Sequence, residues 1–143
     1  DAFLKREMKI ENIKKPDTIA TAIRIGAPVS WKKALRSVYN SGGTLLKVSD
    51  QEILDAQMNL ARLEGLFVEP ASASPIAALK KLIANGTIQN DESVVCVATG
   101  HGLKDPEVIN NIFENLNLKI VKAYKAVIKK VAKRVSVILI IFR

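Results

Sequence analysis

Apolar and polar positions alternate between two periods along the chain, and the switches predict short strands alternating with helices. Thr44 to Val48 is a short β-type run. Ser49 follows with Glu52 three residues on, the pattern of a capping box that opens a helix. That helix sets Ile53, Ala56, Gln57, Leu60 and Leu63 largely on one face and stops at Gly65. Leu66-Phe67-Val68 is a brief apolar strand, broken by Glu69-Pro70. The next helix has Ser74-Pro75 near its start, where proline's missing N–H costs little, and a buried stripe of Ile76, Leu79, Leu82 and Ile83. Asn85-Gly86 ends it. Ser93 to Ala98 is an apolar run that reads as a strand covered on both faces, as in a parallel sheet. Asp105-Pro106 then starts a helix through roughly Phe113.

Upstream, the first 15 residues are charged and show no period. Pro16-Asp17-Thr18 opens a short helix, Ile19 to Ile25, ended by Gly26. Ser30 is placed as N-cap of another, Trp31 to Asn40, closed by Gly42-Gly43. Downstream, Ile120, Tyr124, Val127, Val131 and Val135 share one helical face, while Lys122, Lys125, Lys129 and Lys133 recur on another. The apolar run Val135 to Phe142 is far short of the ~20 residues a transmembrane helix needs, and reads as a last strand or an end that packs on a partner. The expected division is therefore an irregular lead-in at 1–15, an α/β part at 16–115 and a basic amphipathic tail at 116–143. The fold class is α/β, with a partial parallel sheet and helices on its faces.

Composition narrows the function classes. The 143 residues suit one domain, and 48% apolar with 25% charged residues excludes wholesale disorder. One cysteine and one histidine exclude an internal disulfide and a Cys/His zinc cluster, so no metal ligand is assigned. The net charge of +8 changes meaning once it is located. Eight of the 22 Lys and Arg lie between Asn117 and Arg143, where there is no acid, leaving 14 cations against 14 acids elsewhere. An argument from charge to nucleic acid or membrane thus concerns the tail alone. The chain opens on Asp1 without a signal-peptide pattern, so a processed or truncated start and a cytoplasmic site are expected.

The candidate chemistry gathers where strands end. Thr99-Gly100-His101-Gly102 follows the buried run, and open parallel sheets bind ligands beyond the carboxyl ends of their strands. The glycines suit either close approach of a flat ligand or a tight strand-to-helix turn, and their spacing favours the turn. The Thr99 hydroxyl faces such a site or caps the turn. His101 could act as general acid or base but has no nucleophile or carboxylate partner in sequence, and reads as a solvated loop residue. Lys104 reads as a surface lysine. Glu69 to Ala73 lies before a helix start, suiting an anion or, equally, close helix–strand packing with Ser72 or Ser74 as caps. Trp31 and Cys96 read as core.

Three stretches resemble the signatures of threonine synthases: Pro16 to Gly26 with Ala27-Pro28-Val29-Ser30-Trp31, Phe67 to Ala73, and Val94 to Pro106. They stand in the family's order and spacing and cover about residues 16 to 108. The second and third are shared more loosely with serine and threonine dehydratases. The resemblance implies a fold-type II enzyme dependent on pyridoxal 5'-phosphate that converts O-phosphohomoserine and water to threonine and phosphate. It matches Thr99 to the threonine whose hydroxyl faces the cofactor's pyridine nitrogen. It sets Gly100 beside it, brings Ala20 and Thr21 near the ring, and adds Glu69 to the cofactor-binding set. A neutral hydroxyl partner hydrogen-bonds that nitrogen without making it a strong cation, unlike an aspartate.

The family's Schiff-base lysine, its glycine-rich phosphate loop and its main substrate-phosphate contacts lie in an early segment with no counterpart here. The chain therefore resembles the last third of such an enzyme. No catalytic residue is assigned within it, and it is expected to be inactive alone. The expected partners are the missing N-terminal part, the small-molecule substrate and further copies of the chain in a homo-oligomer, with no nucleic acid or membrane. Two rivals are a dehydratase acting on threonine or serine, and a non-catalytic module whose basic tail binds nucleic acid or anionic membrane.

Overall fold

The strongest local signals in the sequence become the helices. In the computed structural model, which describes residues 1–105 with 107 and 108, three α-helices form: α1 (Trp31–Ser41), α2 (Asp50–Glu64) and α3 (Pro70–Ala84). The predicted capping box at the start of α2 is complete. The Glu52 N–H donates to Ser49 Oγ (3.3 Å) and the Ser49 N–H donates back to Glu52 Oε2 (2.7 Å). Gly42 and Gly65 end α1 and α2 in the left-handed region, at φ 66° and 68°, where a side chain would be strained. Ser30 precedes α1, but its hydroxyl makes no capping bond, because its backbone (φ −90°, ψ 14°) is not in the extended form a side-chain cap requires.

The third helix departs from the sequence reading. It begins at Pro70, four residues earlier than Ser74, so Pro75 lies inside it. Proline there leaves the carbonyl one turn back, that of Ala71, without its N–H partner. The Ser74 hydroxyl takes that place, donating to Ala71 O at 2.7 Å. The earlier start also rotates the assignment of faces. Ser72, Ala73 and Ala77 are buried, whereas Ile76, Leu79 and Leu82 are half-buried and Ile83 is exposed. Small residues let α3 approach α2 closely, and the core is Ala20, Ile53, Ala56, Val68, Ala73 and Ala77, with Ile19, Val48, Leu60, Ala71 and Ile76 against it. On α2 the buried arc is Ile53, Ala56 and Gln57, while Leu63 at its far end is exposed. The predicted helix at Ile19 to Ile25 is a single 3-10 turn, Thr21–Ile23.

The strands are where expectation and structure part. Among the described residues no sheet forms, and the one backbone pairing outside helices and turns of strand type is an isolated antiparallel bridge between Val68 and His101. Thr44 to Val48 and Ser93 to Ala98 carry no ladder. The latter is exposed rather than covered, with Val95 at 89% and Val97 at 67% of their free area. Cys96 is half-buried rather than core, as is Trp31, whose ring lies 5.4 Å from Lys32 Nζ. The physical reason is that a strand satisfies its backbone and covers its faces only through neighbours, and none of the described residues supplies them. Of the helix expected beyond Pro106 only Glu107 and Val108 are described, both helical; the basic tail and the final apolar run lie outside the described residues. Among those described, no helix is long and apolar enough to cross a membrane.

Candidate functional site

Two segments distant in sequence, 67–72 and 99–105, are laced together at the start of α3. The Gly102 N–H donates to Phe67 O and the Glu69 N–H donates to Gly100 O, each at 3.0 Å, flanking the Val68–His101 bridge. Approach this close is what the two glycines permit. A Cβ on Gly100 would overlap the Glu69 carboxylate, and one on Gly102 would overlap the Phe67 ring. The glycine spacing is thus explained by the protein's own packing, in line with the tight-turn reading. From the other side, Gln57 of α2 donates its side-chain N–H to Val68 O at 2.7 Å, which anchors this junction to the core.

Ser72 is the centre of the junction. It is 1% exposed, and its hydroxyl oxygen accepts from the backbone N–H of Thr99 (3.0 Å) and of Gly100 (2.8 Å) while lying 3.0 Å from Thr99 Oγ1. Glu69, N-cap of α3, is buried, and its carboxylate is paired with Lys104 Nζ at 3.3 Å. A buried carboxylate needs such a partner, so Lys104, exposed as read from the sequence, also serves as its counter-ion. His101 is exposed, and its Nδ1 accepts from the Leu103 N–H at 3.1 Å, consistent with a loop histidine that organises its own turn.

The Thr18–Thr21 stretch joins by a different route. Asp50, in the first turn of α2, accepts from Thr18 Oγ1 (2.6 Å) and from the Ile19 N–H (3.2 Å). Thr18 Oγ1 in turn accepts from the Ala20 N–H (3.2 Å), and Ala20 is fully buried. Thr21 Oγ1 donates to Asp105 Oδ2 at 2.6 Å, and Asp105 is itself buried. Of the residues singled out in the sequence, Gly100 and Glu69 therefore meet directly, Thr99 joins them through Ser72, and Thr21 reaches the same 99–105 segment through Asp105. Ala20 serves as a core wall beside it. Sequence reading missed the roles of Ser72, Asp105 and Asp50. Their common signal is a short polar side chain in a helix's first turn or at the end of a tight turn, which from sequence alone is indistinguishable from a cap. A cavity of 650 Å³ lined by Phe3, Leu4, Met8, Val38 and Tyr39 shares none of these residues. Among the described residues no cluster of metal-ligating side chains is present.

A family model described as pyridoxal-phosphate dependent enzyme matches residues 2–100. The threonine synthase of Methanocaldococcus jannaschii is 60% identical over 107 residues, 75% of this chain and 26% of that protein. That of Methanosarcina acetivorans is 57% identical over 99 residues, 69% of this chain and 24% of its own length. That of Mycobacterium tuberculosis is 53% identical over 97 residues, 68% and 27% respectively. The chain spans about a quarter of the length of the curated relatives it matches.

Proposed function

The chain belongs to the family of pyridoxal-phosphate dependent enzymes, and on that footing we propose that it is the C-terminal part of a threonine synthase acting on O-phosphohomoserine. The observation that carries this is the identity of more than half with proteins named threonine synthase, over 97 to 107 residues. In the assembled enzyme the chain contributes one edge of an α/β unit, its 93–98 segment paired in a parallel sheet whose other strands come from the remaining three quarters. The 16–115 part carries the cofactor contacts and 116–143 is an appended basic tail. The assembled enzyme is cytoplasmic and homo-oligomeric.

The residues present fit the nitrogen edge of the cofactor. Thr99, an exposed residue of the turn, offers a hydroxyl, a donor suited to an aromatic nitrogen. Thr99 and Gly100 would hold that edge, Glu69 would keep their loop seated against α3, and Ala20 and Thr21 would wall the ring. When bound, pyridoxal phosphate supplies an electron sink for negative charge that develops on substrate carbon. This chain's part is to orient the ring through a neutral donor. No Schiff-base lysine is assigned to this chain, and Lys104 serves as the counter-ion of Glu69.

The test is product identity in an enzyme reassembled from this chain and the separately expressed first three quarters of the Methanocaldococcus jannaschii relative. Phosphate release from O-phosphohomoserine is expected. Ammonia release from threonine without phosphate release would assign a dehydratase instead. Turnover by the 143 residues alone would overturn the placing of the Schiff-base lysine outside the chain.

A further inference from the structure

Ser72 has one proton and two lone pairs to distribute. Both lone pairs are claimed, because the N–H groups of Thr99 and Gly100 can only donate and both point at Ser72 Oγ, at 3.0 and 2.8 Å. The third neighbour, Thr99 Oγ1 at 3.0 Å, must then accept the Ser72 proton. That fixes a direction which distance alone leaves open. Thr99 keeps its own proton, and among the described residues no group takes it. A hydroxyl that accepts a hydrogen bond is also a better donor, since the two bonds polarise one another.

We propose that Ser72 is a positioning residue that turns the Thr99 hydroxyl outward as a proton donor, and so selects an unprotonated ring nitrogen as its ligand. This rests on the reading of Thr99 as the partner of the pyridine nitrogen, and deepens it by saying why a threonine there donates rather than accepts. Were the direction reversed, the Thr99 proton would be spent on Ser72, and the hydroxyl would meet a ring nitrogen with lone pairs only and favour its protonated form. Burial of Ser72 keeps water from competing for any of the three bonds.

The experiment uses the full 143-residue chain reassembled with the separately expressed first three quarters of the Methanocaldococcus jannaschii relative, and pyridoxal 5'-phosphate labelled with nitrogen-15 in the ring. Four variants are compared with the parent: Ser72→Ala, Ser72→Cys, Thr99→Ser and Thr99→Val. Ser72→Cys preserves the volume of the side chain while weakening its hydrogen bonding, so it remains informative where the alanine loosens the fold. Amide exchange at Thr99 and Gly100 is expected to quicken about five- to tenfold in both Ser72 variants, and to be unchanged in Thr99→Ser. The ring-nitrogen resonance is expected to report an unprotonated, hydrogen-bonded nitrogen in the parent and in Thr99→Ser. In the Ser72 variants it should instead titrate as it does in free solution.

Unchanged amide exchange in Ser72→Cys and Ser72→Ala would overturn the proposal. So would faster exchange with an unchanged ring-nitrogen signal, because Ser72 would then be only a brace for the loop. A ring-nitrogen signal indifferent to Thr99→Val, or no bound cofactor even in the parent, would bring down the reading of Thr99 beneath it. That failure is distinguishable, since the amide response to Ser72 would persist.

Discussion

The α2–α3 pair and the 93–98 segment are both rich in apolar residues, yet one is the core and the other is bare. Ile53 of α2 is 3% exposed, while Val95 is 89% exposed. The difference lies in where each element finds its partners. A helix closes its backbone bonds within itself, so α2 and α3 are free to pack their small faces together, with Ala20 and Val68, and bury Ile53, Ala56, Ala73 and Ala77. A strand has no internal bonds, and an apolar strand without neighbours presents both its edge and its side chains to water. Ile53→Ala is accordingly expected to cost about 2–4 kcal/mol in chemical denaturation. Val95→Ala should stay within ~0.5 kcal/mol. Equal losses would mean that the 93–98 segment is packed in solution and would erase the contrast. The sharper form replaces Val95 and Val97 together with lysine. That pair should leave the denaturation midpoint where it was and reduce self-association in sedimentation, because an open apolar edge is a template for another chain.

The same contrast explains what could be read from the sequence. The capping box at Ser49 and Glu52, the glycine stops at Gly42 and Gly65, and the Ile53–Ala56–Gln57 face are local devices, complete within four or five residues of chain. Each is found where the pattern puts it. The start of α3 was misplaced because two prolines compete for it. Pro70 at the first position and Pro75 are equally good punctuation, and only the Ser74 hydroxyl, by occupying the Ala71 carbonyl, makes the inner one tolerable. The cluster around Thr99 was legible as a set of motifs but not as a geometry. Nothing in the spacing of Ser72 and Thr99, 27 residues apart, says that one hydroxyl gathers two amides of the other's loop. The apolar run at 93–98 reads in sequence as a covered strand, whereas among the described residues it carries no ladder and lies exposed.

A smaller effect tests the claim that α2 stands on its own local signals. Ser49→Ala removes the acceptor for the Glu52 N–H and breaks the reciprocal box. It is expected to cost about 1 kcal/mol, measured as a lowered thermal midpoint, with exchange quickened chiefly at the first turn of α2. If the loss spread instead to the Thr99–Gly100 amides, the helix start and the junction at α3 would form one cooperative unit rather than two.

The smallest effect is one of pH, and its sign follows from Glu52. Lys81 lies 2.8 Å from Glu52 Oε2, and the Ser49 N–H and hydroxyl donate to the same oxygen at 2.7 and 2.9 Å. These groups, the lysine first, hold the carboxyl down from 4.5 to about 2. A carboxyl that binds its proton less readily in the folded chain stabilises the fold wherever the unfolded chain has already ionised. The contribution is therefore whole above about pH 4.5 and is lost as pH falls toward 2. Lys81 also donates to Lys47 O at 2.9 Å, so acid should loosen the 47–49 approach to α2 along with the helix start. Both partners are more than a third exposed, which keeps the effect modest and makes it shrink with added salt. Lys81→Met should raise the Glu52 midpoint in a carboxyl titration further than Ser49→Ala does, because the lysine is the larger cause. The reverse order would mean that the capping box, rather than the bridge from α3, holds the charge at the start of α2. The helix would then owe its beginning wholly to neighbours in sequence, and the contrast with the bare 93–98 segment would be sharper still.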